Sequence, residues 1–392
     1  MTLKLPAFLC LVLIICQNQS QGQQDSSGRR HSIAVFAPLY LDSAFDATGT
    51  YRYDKTFPHF INPGLEFYEG IKLAADSLAV EETPVTIDVF DTRSAARTLI
   101  QQINSPEVQQ AGLIIGHVTP SEERLLASAA LKLHIPFINA NLPNDAGISN
   151  NPSLVILNST LQTHCESIYH FLQRNYGTAP VVVFRKKGIM EDRLQSYFTD
   201  AEKNTAGVPL HIRFVTWDEA KPNSLLRYLD SSRMTIAIAG SLDENFAKDL
   251  AKQLAATFSR YPALLVGMPT WDVITDFSKL EYAGLPVIYS TPFYSARTDK
   301  VSMKITAYFK NTLFARPSDM VFRGYECLYR FGKLLSEKGR NLYSSIGEKK
   351  YPVFTDWDIE PVLDKQTMSI NYFENKKLYF VKKINGEVVQ VF

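Results

Sequence analysis

The sequence predicts an α/β protein made of two similar lobes, each built on a mainly parallel sheet. Short apolar runs of strand length alternate with amphipathic helical patterns along most of the 392 residues. Alternation of this kind is typical of parallel sheets covered by helices. The first and second halves also repeat the same run of strands and capped helices, which indicates two lobes that face one another.

The N-terminal segment predicts a secretory signal peptide. Lys4 precedes a mostly apolar run from Leu5 to Cys16, which is too short to span a bilayer comfortably. Ser20-Gln21-Gly22 offers small residues at the usual cleavage positions. We therefore expect a signal peptide over residues 1–22 and an exported, periplasmic protein.

The cysteines do not form a disulfide framework. Cys10 and Cys16 lie in the expected signal peptide, and Cys165 and Cys327 are far apart in helical patterns. Burial as small apolar side chains is the expected state of the latter pair, with a long-range disulfide as the alternative. Lipidation of Cys16 is a second alternative, but Ile15 stands where a lipobox normally has a small residue.

Composition and motifs exclude several classes of function. A formal net charge of +1 argues against an electrostatic nucleic-acid binder. The sequence contains no HExxH, GxSxG or GxxxxGK[ST] motif, and its histidines and cysteines show no zinc spacing. We expect no catalytic residues, no metal and no cofactor.

The first third of the chain contains two predicted strands, one that starts at Ser32 and is broken at Pro38, and Val85–Phe90. An amphipathic helix starts at Asn62-Pro63 between them. Residues 42–62 have no periodicity and are rich in aromatic side chains (Phe45, Tyr51, Tyr53, Phe57 and Phe60). A loop of this length is either a lid over a binding site or an insertion packed on its own aromatic residues.

The stretch from Gly112 to Pro143 contains the clearest strand–helix–strand unit. Leu113–Ile115 and Ile135–Ile138 are apolar and of strand length. The helix between them begins with a predicted capping box, in which Thr119 is the N-cap and Glu122 its partner.

Two turns of this unit predict a binding site. In parallel sheets, ligands bind at the carboxyl ends of the strands, where helix N-termini aim free N–H groups at them. His117-Val118-Thr119 and Asn139-Ala140-Asn141 both follow such strand ends.

The second half continues the alternation. Capping boxes are predicted at Thr163–Glu166 and Ser241–Glu244, and a long helix from Pro317 or Ser318 to about Glu337. The tail from Met368 alternates like antiparallel strands, with Asn385-Gly386 as a hairpin turn. Further strands are predicted at 154–157, 180–184, 210–215, 235–239, 263–266 and 287–290.

Four motifs in this order carry a family resemblance: IAVFAPL, GLEFYEGIKLAADSL, LIIGHVTPSEERLLASAALKLHIPFINA and FRGYECLYRFGKLL. Over about Ser32 to Val391 the chain resembles the type 1 periplasmic binding proteins, the branched-chain-amino-acid-binding branch of the ABC transporter substrate-binding proteins. The resemblance implies two Rossmann-like lobes that are joined by three hinge crossovers and close on a ligand.

The resemblance also implies boundaries. The crossovers are expected near 157–160, 291–295 and 355–364. Lobe 1 is then expected to comprise 30–158 plus 293–356, and lobe 2 to comprise 159–292 plus 357–392.

The resemblance assigns ligand-binding roles by position. In that family, backbone N–H groups and a hydroxyl in two turns of the first lobe bind the ligand's carboxylate. The matching positions, together with the facing strand ends of the second lobe, are His117, Val118, Thr119, Asn139, Ala140, Asn141, Arg185, Ser241 and Trp271. His117 and the Asn-Ala-Asn turn depart from the family pattern, and the residue that would hold an amino group is not identified beyond Asp272.

Several of these residues have structural explanations as well. Thr119 and Ser241 are first of all explained as helix caps, and Trp271 as a side chain packed within its own lobe. Arg185 stands in a basic turn that could be solvated, and His117 could be neutral, pH-sensitive or without a role.

The leading expectation is an exported, non-catalytic solute-binding protein. It would capture a small polar ligand, an amino acid or a short peptide, between its lobes and deliver it to an ABC transporter permease. The alternative is a cell-envelope protein that keeps this fold but regulates a protein partner. An open polar cleft favours the first function, and a sealed cleft with a large exposed apolar patch favours the second.

Overall fold

The computed structural model describes residues 31–54, 56–218, 224–274 and 276–391. The expected signal peptide and Cys16 lie outside these residues. Two seven-stranded sheets, each flanked by helices, form two lobes. This confirms the predicted fold class.

The first ten strands form two parallel sets of five. The set in lobe 1 is β1 (His31–Ala37), β2 (Val85–Asp91), β3 (Leu113–Gly116), β4 (Phe137–Asn139) and β5 (Leu154–Ile156). The set in lobe 2 is β6 (Val181–Arg185), β7 (Arg213–Thr216), β8 (Thr235–Ala239), β9 (Ala263–Val266) and β10 (Val287–Thr291). Their spatial orders, β2-β1-β3-β4-β5 and β7-β6-β8-β9-β10, are the same, as the repeat in the sequence predicted.

The tail contributes one pair of strands to each sheet. These are β11 (Ile359–Leu363), β12 (Ile370–Asn375), β13 (Tyr379–Ile384) and β14 (Glu387–Gln390). Strand β12 pairs parallel with β5, and β11 pairs antiparallel with β12. Strands β10, β13 and β14 pair antiparallel in that order. Asn385 and Gly386 take positive φ at the β13–β14 turn, which confirms the predicted hairpin.

This tail corrects the expected position of the third crossover. Strands β11 and β12 belong to the sheet of lobe 1, so the chain crosses to lobe 2 between Asn375 and Tyr379 and not near 355–364. Residues 357–375 therefore pack with lobe 1 and not with lobe 2. Alternating side chains mark a strand but do not say which sheet edge it joins, because either edge can offer the same unpaired backbone groups.

Helices cover the faces of both sheets. They are α1 (Leu41–Ala44), α2 (Asn62–Val80), α3 (Leu99–Ile103), α4 (Pro106–Gln109), α5 (Pro120–Leu133), α6 (Leu161–Tyr176), α7 (Ile189–Asn204), α8 (Glu244–Thr257), α9 (Lys300–Tyr308) and α10 (Asp319–Lys338). A π-helical turn, Phe309–Leu313, extends α9. Within the described residues, none of these helices is long and apolar enough to cross a lipid bilayer.

Helix starts agree with the sequence only in part. The Thr119–Glu122 capping box and the start of α10 after Ser318 are confirmed. The other two predicted boxes are wrong, because α6 is capped by Thr160 and α8 by Asp243. In both cases a nearby side-chain oxygen accepts from the free N–H groups in place of the predicted one. The direction in which the chain enters the helix decides which side chain reaches those groups.

Each lobe has its own core. Cys165 lies in the core of lobe 2 and Cys327 in that of lobe 1; both are buried and free, so they do not form a disulfide. The aromatic loop over 42–60 packs on itself: the Tyr40 ring lies 4.9 Å from that of Phe60, and the Phe45 ring 5.7 Å from that of Tyr51. None of the loop residues that the structure describes lines the interlobe cavity described below. The loop is an insertion packed on its own aromatic residues.

Candidate functional site

A cavity of about 820 Å³ lies between the lobes, next to the hinge. Its floor is formed by the first two crossovers, residues 158–161 and 291–293. Lobe 1 adds residues of the β4–β5 loop (141–145) and the first turn of α10. Lobe 2 adds residues of α7, the start of α8, and Pro269 and Thr270 after β9. The cavity is therefore built by segments that would move relative to one another on closure.

The lining combines an apolar surface with amide groups. Leu161, Met190, Tyr197, Leu242 and Phe293 provide apolar area from both lobes. The side chains of Asn141, Asn144 and Asn158 provide polar atoms on the side of lobe 1. Ligand pockets commonly have this composition, with apolar walls and a few placed polar groups.

Two arginines line the cavity, one from each lobe. Arg323 of α10 is buried; its Nη1 donates a 3.0 Å hydrogen bond to the carbonyl of Ala140, and its guanidinium lies 5.0 Å from the Phe293 ring centroid. Arg193 of α7 is exposed, and no hydrogen bond or ion pair of its side chain is recorded among the described residues.

Three carboxylates also line the cavity, and each has a partner. Asp319 is ion-paired with Arg297. Glu244 lies 3.9 Å from the Nζ of Lys248, and Asp145 accepts a 3.0 Å hydrogen bond from the N–H of Gly147. Arg193 is thus the charged group of the lining that is most available to a ligand of opposite charge.

His164 forms part of the cavity floor. Its Nδ1 lies 2.7 Å from the hydroxyl of Ser290 on β10. Burial lowers the pKa of His164 to about 3, so the imidazole is neutral at physiological pH. A neutral ring fixed in this way can recognise a polar ligand atom without adding charge.

The turn at 117–119 does not offer its N–H groups to the cavity. The N–H of Val118 donates a 2.8 Å hydrogen bond to Oδ1 of Asn141, and that of Thr119 a 2.7 Å bond to Glu122. Val118 is buried, and the N–H of His117 donates to the carbonyl of Phe36. Burial lowers the pKa of His117 to about 4, so this side chain is neutral too. These N–H groups, which the resemblance assigned to the ligand, have acceptors within the protein.

The turn at 139–141 brings one residue to the cavity. Asn139 is fully buried; its Nδ2 donates a 2.6 Å hydrogen bond to Glu123, and its Oδ1 accepts from the N–H groups of Asn141 and Leu142. Ala140 is buried beneath Arg323. Only Asn141 lines the cavity, and its amide also bridges the two turns.

The three predicted residues of lobe 2 lie away from the cavity. The Arg185 guanidinium is held by Gln195 and Asp192, and the buried Ser241 hydroxyl donates to Glu191 at 2.7 Å. Trp271 is fully buried, with its ring 5.3 Å from that of Phe277. The contacts favour the structural explanation of Trp271 only. Arg185 is buried and paired rather than solvated, and Ser241 bonds Glu191 while Asp243 caps α8.

Most polar residues of the cavity were missed by the sequence analysis, among them Asn158, Thr160, His164, Arg193, Tyr197 and Arg323. A usable signal existed for Asn158 and Thr160, because the predicted crossover at 157–160 lies at the hinge, where the two lobes meet. Arg193 and Tyr197 stand four residues apart on α7 and so share a face, but the sequence does not indicate that this face meets the other lobe.

Comparisons with known proteins bear on the fold. No family model and no characterised protein matches the sequence. Among solved structures, the leucine-binding protein LivK of Thermotoga maritima is 15% identical with a TM-score of 0.52, and the match covers 92% of this chain and 98% of that one. An ABC transporter substrate-binding protein of Desulfitobacterium hafniense is 11% identical with a TM-score of 0.60, covering 93% and 100%.

A third match has a different role. The C-domain of LpoA from Haemophilus influenzae, a regulator of PBP1A, is 14% identical with a TM-score of 0.56, and the match covers 92% of this chain and all of that domain. Transport receptors and an envelope regulator thus share one architecture with this chain. The two lobes, the identical strand orders and these matches together show that the chain has the type 1 periplasmic binding protein fold.

Proposed function

We propose that this protein is a ligand-binding protein that captures a small polar molecule, an amino acid or a short peptide, between its lobes for an ABC transporter permease. The single observation that carries the proposal is the open cavity of about 820 Å³ at the hinge, which both lobes line. Its volume lies within the range of about 300–1,000 Å³ that is usual for small-molecule sites. A ligand that contacts both lobes stabilises their closed arrangement.

The lining supports a ligand with an anionic group and an apolar body. Arg193 provides a guanidinium for a carboxylate, and Arg323 a second, buried one. Leu161, Leu242 and Phe293 lie in the same cavity and would cover an apolar side chain. In this proposal, arginine side chains take the place of the N–H groups of Val118 and Thr119, which already have acceptors.

A thermal-shift screen of the chain without residues 1–22 tests the proposal. The compounds are amino acids, short peptides, nucleosides and cell-wall fragments, because a ligand that binds only the folded state raises the melting temperature. We expect a peptide or amino acid to shift it. Arg193→Gln should then weaken binding about ten-fold or more, the loss expected for a charged hydrogen bond.

Lys187→Gln is the matched control, since Lys187 is exposed, belongs to the same lobe and does not line the cavity. It should leave the affinity unchanged. A ligand that binds the wild type and both variants equally would contradict the role of Arg193. A screen without any response would contradict the receptor function.

The second candidate function is that of an envelope protein that regulates a partner. The internal hydrogen bonds of Val118 and Thr119 favour it, because they occupy the N–H groups that the resemblance assigns to a ligand's carboxylate. The LpoA domain provides a precedent for the fold. Cross-linking in intact cells tests it: a specific complex with an envelope protein, together with a negative ligand screen, would favour this function.

A further inference from the structure

Every residue from 310 to 316 is exposed; this segment comprises most of the π-helical turn after α9 and the three residues that follow it. It carries Phe314, which is 89% exposed, next to Leu313 at 40%. Met303 of α9 is 53% exposed. We call the exposed surface formed by Lys300, Met303, Lys304, Lys310, Leu313, Phe314 and Arg316 the basic ridge.

The fold holds the ridge in place from beneath. Ser302, Ile305 and Phe309 are buried, and the latter two join the core of lobe 1. Lys300, Met303, Lys304 and Ala307 are spaced three and four residues apart, so they share the opposite face. Phe314 directly follows this element, which is anchored to the core of lobe 1 through Ile305 and Phe309.

The ridge carries unbalanced positive charge. Between Lys300 and Arg316 the sequence has four cationic residues and no acidic one. In the part of the chain that the structure describes, none of these four side chains has a recorded ion pair or hydrogen bond, and all four are exposed. By contrast, the exposed side chains of Lys252 and Lys279 are paired, with Glu281 and Asp276 respectively.

We propose that the basic ridge docks this protein onto an anionic lipid surface. Exposed apolar side chains flanked by lysine and arginine are the pattern of segments that lie in the membrane interface, where the rings enter the acyl boundary and the cations meet the headgroups. A protein partner is less well matched, since the centres of protein interfaces are depleted in lysine. The proposal is independent of the ligand in the cleft.

Sedimentation of the chain without residues 1–22 with lipid vesicles tests this proposal. We expect binding to vesicles of phosphatidylcholine mixed with phosphatidylglycerol, and little binding to phosphatidylcholine alone. Raising the salt should weaken binding, because the screening length falls from ~10 Å at 0.1 M to ~3 Å at 1 M.

Two variants separate the contributions of the ridge. Phe314→Ser should weaken binding about ten-fold, because a ring that enters the bilayer is lost. Lys304→Gln with Lys310→Gln should weaken it about twenty-five-fold, at about five-fold per cation. All these positions are exposed, so the fold should persist, which circular dichroism would verify.

The controls come from lobe 2. Leu280 is 90% exposed, and its neighbour Lys279 is paired with Asp276, so Leu280→Ser matches the aromatic variant without a basic surround. Lys203→Gln with Lys252→Gln removes the same charge elsewhere. Both should bind like the wild type. The proposal would be overturned by equal losses in variants and controls, by no binding to anionic vesicles, or by binding to an acidic protein alone.

Discussion

Asn141 explains at the residue scale why the cleft differs from the one that the resemblance implied. Its side chain accepts from the N–H of Val118 and donates to the carbonyl of the same residue, at 2.8 and 2.9 Å. The Asn141 amide thus satisfies both the N–H donor and the carbonyl acceptor of Val118, so neither is available to a ligand. A small residue at this position would leave that donor free, so a single side chain changes what the turn can bind.

Glu123 lies beneath the same turn and makes stability depend on pH. It has no exposed surface; Oε1 accepts from Asn139 at 2.6 Å, and Oε2 has no hydrogen-bond partner among the described residues. Burial raises the pKa of Glu123 to about 7. The unfolded carboxyl ionises first, so the folded state loses stability as the pH rises from about 4.5 through 7, and the loss is complete above that range.

We therefore expect Glu123→Gln to stabilise the protein by about 2 kcal/mol at pH 8 and to have little effect at pH 4.5. Glutamine keeps the acceptor for Asn139 but carries no charge. Urea unfolding at the two pH values measures the difference. Glu360→Gln, at an exposed site, should change stability by less than about 0.5 kcal/mol at both. Equal effects of Glu123→Gln on stability at both pH values would contradict the raised pKa of Glu123.

At the scale of elements, the close pair α2 and α10 organises lobe 1. A Cβ at Gly70 would lie 2.0 Å from the backbone oxygen of Val321, and one at Gly324 would lie 2.2 Å from that of Phe67. The helices can approach this closely only because both crossing positions lack a side chain. The first turn of α10, which brings Arg323 to the cleft, is positioned by this contact.

Gly70→Ala should destabilise the protein by about 3 kcal/mol, because the added methyl group meets backbone that cannot rotate away. Gly332→Ala on α10 is the matched control. Its Cβ would meet side-chain ends and no backbone, Leu78 at 3.0 Å and Ile33 at 3.7 Å, and alanine favours the helix, so its change should stay within about 1 kcal/mol. Denaturant unfolding of both variants measures the change in the free energy of unfolding. Similar changes for the two variants would show that α2 and α10 separate easily to admit the added methyl group.

At the scale of the molecule, the two lobes are separate cores tied at the hinge. Glu374 accepts a 2.6 Å hydrogen bond from the N–H of Thr160, and the Ser159 hydroxyl donates one of 2.6 Å to the carbonyl of Asn375. These bonds join the first crossover to the third. They hold the two segments together at the hinge.

The reactivity of the two buried thiols, Cys165 and Cys327, would measure the unfolding of each lobe separately. Burial raises the pKa of Cys165 in lobe 2 and of Cys327 in lobe 1, and neither thiol is exposed. In the chain without residues 1–22, we expect both to resist a thiol reagent until the lobe that contains them unfolds. Labelling of Cys165→Ala and Cys327→Ala in increasing urea measures the two openings. Rapid labelling without denaturant would contradict the packing of that lobe.

The sequence by itself determined the two lobes, their strand–helix alternation, the central capping box and the final hairpin, because each depends on periodicity and short-range hydrogen bonds. It did not determine which sheet takes β11 and β12, or which residues line the cleft. Arg193, His164 and Arg323 become neighbours only when three crossovers bring distant segments together. Whether a strand-end N–H faces a ligand or a side chain such as Asn141 depends on contacts across the fold, and only the tertiary structure decides those.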